Sequence, residues 1–372
     1  MNLSVLHYLV SPASHQPLEV ERSEASKSAS DSVQEGNLKS KSGDEAFPIV
    51  EGVPLLQPVG HLADWDSEVL EVLFGQRLAE VSETFDEKML EERTLRLKSL
   101  TTELGVDGVR EAFNRYAKLP PSQRLDSLVR ISPAEQSSVC PMVSRAAIED
   151  GREYATMAGG KRRAEQMREM VHKWASHIPD YVSSILESKP AAIVELATGA
   201  GLGTNALLEA GLGDGRLISL DIDYACVKNA EGLAKYHGLQ DRTDPVVANF
   251  WFLPFRDDSI DMVCAHYGLD DSREVPRVIE EVSRVLAAGG RFVNVSRCDP
   301  TRRLAPWLGD FGFDESELKQ MVSAARLYPG PDGLADVASQ NGLALEDSQT
   351  ATPESSHERV ILVFRKTSGS SQ

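Results

Sequence analysis

The chain has 372 residues, of which 41% are apolar and 26% charged, and its net charge is −18. This length leaves room for two or three domains with a full core. The acidic balance argues against a broad nucleic-acid surface, because such surfaces bind by neutralising phosphates. Without a ~20-residue apolar run or a signal-peptide pattern, we expect a cytoplasmic protein with no membrane span. The four cysteines form no C-x-x-C pair, so no metal site is expected.

Residues 1–58 are predicted to form a small β-rich module. Its apolar residues lie in Val5–Val10 and Ala46–Leu56, whereas residues 21–45 are rich in Ser, Lys, Asp and Glu and are expected to be a mobile loop. The outline LHYLVSPASHQPLEV…FPIVEGVPLLQP resembles the zinc-ribbon module that accompanies some tRNA and rRNA methyltransferases. Ser11 stands where that family has a metal-binding cysteine, so the resemblance implies a ribbon without metal.

Residues 59–185 are predicted to be a helical cap or substrate-binding region. Apolar residues recur there at helical spacing, with one helix ending near Gly105 and another, Asp107–Leu119, ending at a Pro-Pro pair. The segment Gly151–Trp174 is basic in an otherwise acidic chain. Tyr154 and residues 161–163 are candidates to contact a carboxylate of a cofactor or an anionic substrate. The alternative is a solvated basic helix face.

From residue 186 to 372 the pattern alternates between strands and helices. Ala191–Val194 is a short apolar run that leads into Glu195, and glycines follow at Gly199, Gly201 and Gly203. This arrangement predicts a buried parallel strand that turns tightly into a helix. Glycine suits such a turn because it reaches positive φ without penalty and lets a ligand approach bare backbone. The G-x-G-x-x-G/A fingerprint of nicotinamide and flavin enzymes does not fit, because Thr204 occupies its last position.

A second apolar run, Arg216–Asp221, also ends in an acid. The separation of the two acids, 221 − 195 = 26 residues, suits one turn, one helix and a return strand. An acid at the end of that strand can accept hydrogen bonds from both hydroxyls of a ribose. Asp221 is therefore the ribose candidate, with Asp223 as the alternative.

Three segments resemble class I S-adenosylmethionine (SAM)-dependent methyltransferases with a methyltransferase type 11-like domain. The sequence E-x-A-x-G-x-G from Glu195 resembles the family's first motif, with Ala197 where glycine is usual. Residues 249–263, NFWFLPFRDDSIDMV, resemble the family's D-A-x-x-L-P-F-x-D-x-S-F-D-x-V segment, and V-x-R-V-L-x-x-G-G-x-F follows at 282–292. The family's fold implies an α/β, Rossmann-like, seven-stranded sheet with a terminal antiparallel strand.

The resemblance also implies SAM as the cofactor and a set of residues around it. Asn249 stands where the family usually has an aspartate beside adenine. His266 and Tyr267 follow the fourth strand and are the catalytic candidates, for proton removal or substrate positioning; the alternative is that both only line the pocket. The cofactor-binding candidates are Glu195, Ala197, Thr198, Gly199, Gly201, Asp221, Ile222, Asn249, Phe250, Ala265 and Tyr154.

Three functions follow from these expectations. The first is methyl transfer to O, N or C of a small molecule, which the acidic surface and the helical cap favour. The second is methylation of a tRNA or rRNA base, which the ribbon-like module favours and the net charge opposes. The third is a partner-binding subunit that keeps the fold without catalysis. The sequence is compatible with a homo-oligomer.

Overall fold

The computed structural model describes residues 1–21, 32–43, 45–56, 87–118, 120, 145–272, 274–298, 312–324, 326–351 and 358–367. The sequence also predicts an insertion at residues 304–330 and a disordered tail at residues 367–372; residues 304–311, 325 and 368–372 lie outside the described residues. The described strands are β1 (Leu18–Glu21), β2 (Gly36–Ser40), β3 (Ala46–Val50), β4 (Val53–Leu56), β5 (Ala192–Leu196), β6 (Arg216–Asp221), β7 (Thr243–Ala248), β8 (Ile260–His266), β9 (Leu286–Arg297), β10 (Leu343–Ala351) and β11 (Arg359–Lys366). The helices are α1 (Glu87–Lys118), α2 (Arg145–Tyr154), α3 (Met157–Trp174), α4 (Ile178–Leu186), α5 (Leu202–Ala210), α6 (Tyr224–His237), α7 (Val275–Val285), α8 (Glu315–Ala324) and α9 (Gly330–Gln340).

The second half of the chain forms a sheet in the order β7-β6-β5-β8-β9-β11-β10. Strands β7, β6, β5, β8 and β9 pair in parallel, whereas β11 runs antiparallel to both of its neighbours. Every residue of β5 and β7 is buried, as expected for parallel strands covered on both faces. The predicted α/β fold with seven strands and a reversed last strand is therefore confirmed.

The N-terminal module extends this sheet. Strands β1 to β4 form an antiparallel meander, and β4 then pairs in parallel with β7, so that the sheet has eleven strands. Strand β2 lies inside the segment that was expected to be a mobile loop. Its one large apolar side chain, Leu38, is completely buried, and the strand gains backbone bonds on both sides from β1 and β3. Those long-range pairings explain a strand that its polar sequence does not suggest.

Helices α2 and α3 pack against α6, whereas α4 packs against α5 and β9. Helix α1 has a non-helical residue at Gly105, with φ of 67°, where the sequence predicted a helix end. Helix α3 crosses α6 so closely that a Cβ added at Gly160 would lie 1.9 Å from the carbonyl oxygen of Gly232. None of the described helices combines the length and apolar character needed to cross a membrane.

Candidate active site

The turn between β5 and α5 exposes bare backbone at the carboxyl edge of the sheet. Ala197, Gly199 and Gly201 have φ values of 53°, 51° and 87°, all in the left-handed region. A Cβ added at Gly199 would meet only the carbonyl oxygen of Ala197, at 3.8 Å, so this glycine faces open space. The Thr198 N–H donates to the Leu220 carbonyl at 3.1 Å, which ties the turn to β6. Ala197, the departure from the family's glycine, thus adopts a conformation that glycine favours.

Gly201 lets the start of α5 approach α6, and a further glycine, Gly203, lets it approach β5. A Cβ at Gly201 would lie 2.7 Å from Cδ1 of Leu233, and a Cβ at Gly203 would lie 2.6 Å from Oε1 of Glu195. Both distances are too short for a side chain. The first turn of α5 therefore sits directly above the Glu195 carboxyl group. Backbone N–H groups at such a helix start attract negative charge.

Glu195 is a buried acid at the base of this turn. Its side chain is held by two hydroxyl groups, since Thr204 donates to Oε2 at 2.6 Å and Thr198 donates to the same oxygen at 3.3 Å. Burial raises the pKa of Glu195 to about 7, against the opposing effect of the two hydroxyl donors. Near neutral pH the carboxyl group is thus partly protonated, and a nearby cation would favour its ionised form.

Asp221 ends β6 beside the glycine turn. Its Oδ2 accepts the Gly199 N–H at 2.8 Å and its Oδ1 accepts the Asp223 N–H at 3.0 Å. Burial raises the pKa of Asp221, while these backbone donors lower it. The Ile222 N–H is a third backbone donor to this carboxylate, so three of its about four acceptor sites are used within the protein. The next side chain, Ile222, is 40% exposed, an unusual position for isoleucine that offers an apolar face to a ligand.

Residues 249–256 follow β7. Because the sequence analysis expects this loop to lie beside adenine, we call it the adenine-side loop. Asn249 is buried, and its Oδ1 accepts the Trp251 N–H at 2.9 Å, so the side chain shapes the loop from within. Phe250 remains half-buried, with its ring edge-on to Trp251 at 5.4 Å between centroids. The resembled family usually has aspartate at this position. The amide nitrogen of Asn249 cannot accept a hydrogen bond, whereas the corresponding carboxylate oxygen can.

Helix α7 holds the middle of the adenine-side loop by charged side chains. Arg277 donates to the Trp251 carbonyl at 3.0 Å, and Arg284 donates to the Leu253 carbonyl at 2.8 Å. The Leu253 N–H donates to the carboxylate of Glu281 at 2.8 Å, and Glu281 pairs with both arginines. These bonds satisfy backbone groups that no strand pairs.

The end of β8 carries a cluster of neutral rings. Ala265 is buried and pairs in register with Leu196 of β5. His266 follows, half-buried, with its Nε2 2.9 Å from Nε2 of His177. The two imidazole rings are parallel within 3°, with centroids 5.2 Å apart. The Tyr181 ring lies 5.5 Å from that of His266, so α4 and its preceding turn cover this side of the site.

Burial and a nearby guanidinium keep this histidine pair neutral. Burial and, to a smaller extent, the charge of Arg359 lower the pKa of His177 to about 4, and burial also lowers the pKa of His266 well below its usual value. One N–H therefore lies between the two Nε2 atoms, donated by one imidazole and accepted by the other. Among the described residues none bonds to Nδ1 of His177. We assign the Nε2–H to His177, because the opposite tautomer leaves a buried N–H donor unpaired.

Tyr267 is the other catalytic candidate. It has a φ of 64°, and its ring lies under the guanidinium groups of Arg297 and Arg359, at 5.6 and 5.8 Å from the ring centroid. Burial raises the pKa of Tyr267 to about 12, so its phenol stays protonated at neutral pH. The left-handed backbone at this position is strained for tyrosine and turns the chain away from the sheet.

Tyr154 ends α2 and therefore belongs to a different element from the other candidates. Its carbonyl oxygen packs against Gly232 in the middle of α6, and the Arg163 guanidinium stands 5.5 Å from its ring centroid. Asp221 and Ile222 instead precede the first turn of α6. The other cofactor candidates all lie at the carboxyl ends of β5 to β8 or in the turns that follow them. The sequence did not single out His177 or Tyr181, because their only pattern is the apolar face of a short helix.

Comparison with known proteins gives one family match. The model of the methyltransferase domain matches residues 194–294. A ubiquinone/menaquinone biosynthesis C-methyltransferase from Hahella chejuensis is 26% identical over 168 residues, which are 42% of this chain and 68% of the relative. A demethylmenaquinone methyltransferase from Anoxybacillus flavithermus is 32% identical over 152 residues, with coverage of 37% and 64%.

Solved structures of methyltransferases also match the chain. The N-methyltransferase NodS from Bradyrhizobium japonicum, solved with S-adenosyl-L-homocysteine, has a TM-score of 0.40 at 14% identity, over 52% of this chain and 86% of NodS. The chain spans about two thirds of the length of the two quinone methyltransferases, 68% and 64%. The matched segment contains the glycine turn, Asp221, the adenine-side loop and the histidine of β8. Residues 194–294 are therefore a methyltransferase domain of the class I, SAM-dependent type.

Proposed function

We propose that this chain methylates a carbon atom of a small aromatic acceptor of the hydroquinone type, with SAM as the methyl donor. The observation that carries the proposal is the cluster of neutral, largely buried rings at the end of β8: His177, Tyr181, His266 and Tyr267. Such a lining suits a flat, uncharged ring. Two relatives, a ubiquinone/menaquinone biosynthesis C-methyltransferase and a demethylmenaquinone methyltransferase, support the same class of acceptor.

The residues at the carboxyl edge fit the parts of SAM. The Asp221 carboxylate, at the carboxyl end of β6, is the acceptor for the ribose hydroxyls, and the exposed Ile222 offers an apolar surface for adenine. Glu195, below the glycine turn, is the anionic group for the ammonium of the methionine part. Gly199 leaves the backbone open for close approach. We propose that these four residues hold the cofactor.

When bound, SAM supplies an activated methyl group: the carbon–sulfur bond breaks, its electron pair stays on sulfur, an electron pair of the ring carbon forms the new bond, and the ring proton goes to solvent. The chain's task is to align the acceptor and exclude water. The lowered pKa of His266 makes it a poor base at neutral pH. We propose that His266 positions an acceptor hydroxyl by a hydrogen bond, as a neutral imidazole.

The proposal is tested by incubating the full chain with SAM and either a naphthohydroquinone bearing an unsubstituted ring carbon or a transcript of tRNA or rRNA. We expect one added methyl on the hydroquinone carbon by mass spectrometry and none on RNA. His266→Ala should lower turnover while the dissociation constant for SAM stays unchanged. Methylated RNA without a methylated quinone, or full turnover by His266→Ala, contradicts the proposal.

A further inference from the structure

Two segments of the N-terminal module, residues 1–56, reach the two ends of the adenine-side loop. We propose that this module positions the adenine-side loop for SAM, so that the loop's conformation depends on the module rather than on the methyltransferase domain alone. This rests on the proposed function for the identity of the ligand. The contact between module and loop stands on the pairing and burial described below.

The first segment acts where the loop begins. Strand β4 pairs in parallel with β7, with Leu55 opposite Val247 and Leu56 opposite Ala248. Asn249, the first residue of the loop, follows directly. Leu55 and Leu56 are completely buried. The last register positions of β7 are therefore fixed from its outer side by the module and from its inner side by β6.

The second segment acts where the loop ends. The Val10 N–H donates to the Pro254 carbonyl at 2.9 Å, and the Arg256 N–H donates to the Tyr8 carbonyl at 2.9 Å. Between these bonds Leu9 forms an antiparallel bridge with Phe255. This is a short stretch of β pairing between parts of the chain that are 255 − 9 = 246 residues apart.

Packing joins the same two parts. Leu9 and Phe255 are both completely buried, and they belong to one continuous apolar cluster with Trp251 and Leu253 of the loop. The bonds from α7 act on the loop's interior, at the Trp251, Leu253 and Phe255 backbone positions. The module supplies the backbone partners of Pro254 and Arg256, which α7 does not reach in the described contacts. Loss of the module contact should thus loosen the end of the loop and leave its centre attached.

The test compares two buried leucines of the module in the full chain. Leu9 contacts the loop, whereas Leu38, equally buried and in the same apolar cluster, lies in β2 between β1 and β3. We would make Leu9→Ala and Leu38→Ala and verify folding by circular dichroism. Hydrogen exchange of the peptide covering residues 249–256 and calorimetric titration with SAM would then be measured well below each melting temperature.

For Leu9→Ala we expect amide exchange in the loop at least fivefold faster and SAM binding at least threefold weaker. For Leu38→Ala we expect a lower melting temperature with loop exchange and SAM affinity unchanged. If either alanine variant fails to fold, the Leu9→Val and Leu38→Val pair gives the same comparison with a smaller truncation. Loop exchange that is unchanged in Leu9→Ala, or changed equally in both variants, overturns the inference. If the wild-type chain fails to bind SAM, the proposed function fails, and the exchange comparison still decides whether the module holds the loop.

Discussion

Binding of SAM is expected to release a proton from Glu195. In the free protein, burial raises the pKa of this carboxyl group to about 7. In the proposed site the ammonium group of the methionine part lies near Glu195, and its charge would favour the ionised carboxylate. SAM then binds mainly to the ionised form, and its affinity should rise with pH across the range in which Glu195 loses its proton.

The size of the effect follows from the pKa. With a pKa of about 7 for Glu195, about 9% of the free protein is ionised at pH 6 and about 76% at pH 7.5. The affinity for SAM should therefore increase about eightfold between these pH values, or about 1.2 kcal/mol. At pH 6, about 0.9 proton should be released for each SAM bound.

Calorimetric titration in two buffers with different ionisation enthalpies measures this proton release. Glu195→Gln keeps the size of the side chain and cannot ionise, so its proton release at pH 6 should fall to that of the ligand alone. Asp244→Asn is a matched control, because Asp244 is a buried carboxylate paired with Arg216 near the amino end of β7, away from the site. Equal proton release by wild type and Glu195→Gln would refute the reasoning.

Three further outcomes are expected. Asp221→Asn should weaken SAM binding about tenfold or more by calorimetry, since charged hydrogen bonds contribute about 1.5–3 kcal/mol each; unchanged affinity in the folded variant would disprove the ribose assignment. The unfolded pKa of His177 lies near 6.5 and its folded pKa at about 4, so its stabilising effect is present above pH 6.5 and is lost as pH falls. Between pH 7.5 and pH 4.5, the stability of His177→Gln measured by urea unfolding should thus fall by about 2–3 kcal/mol less than that of wild type, and equal falls would contradict this. Gly160→Ala should cost about 1–3 kcal/mol by thermal unfolding, because its Cβ meets the Gly232 backbone, whereas Gly108→Ala, whose Cβ meets only the Leu104 side chain at 3.3 Å, should be tolerated.

The placement of the cofactor-binding candidates at one edge of the sheet could be predicted from local sequence. Glu195, Gly199 and Asp221 each end or follow a short apolar run, and the parallel arrangement brings such ends to one edge of the sheet. The spacing between the two acids predicted one strand–helix–strand crossover. Strands β5 and β6 do pair in parallel, as that spacing requires. These features depend on neighbours in sequence, which is why they were accessible.

The acceptor side and the module depend on contacts that the sequence does not mark. His177 lies 89 residues before His266, and only the packing of α4 brings the two imidazoles together. The parallel pairing of β4 with β7 joins segments that no turn connects. Leu38 gives β2 a single large apolar residue, too little to separate a strand from a polar loop. Each of these misses is a long-range contact that prevails over local pattern.

The most direct test of the central claim is a crystal structure of the full chain grown with S-adenosyl-L-homocysteine. We predict its ribose hydroxyls within hydrogen-bond distance of the Asp221 carboxylate, its amino group above Glu195 and its adenine against Ile222. A ligand bound elsewhere, or an empty cleft beside Gly199 at saturating concentration, would contradict the account.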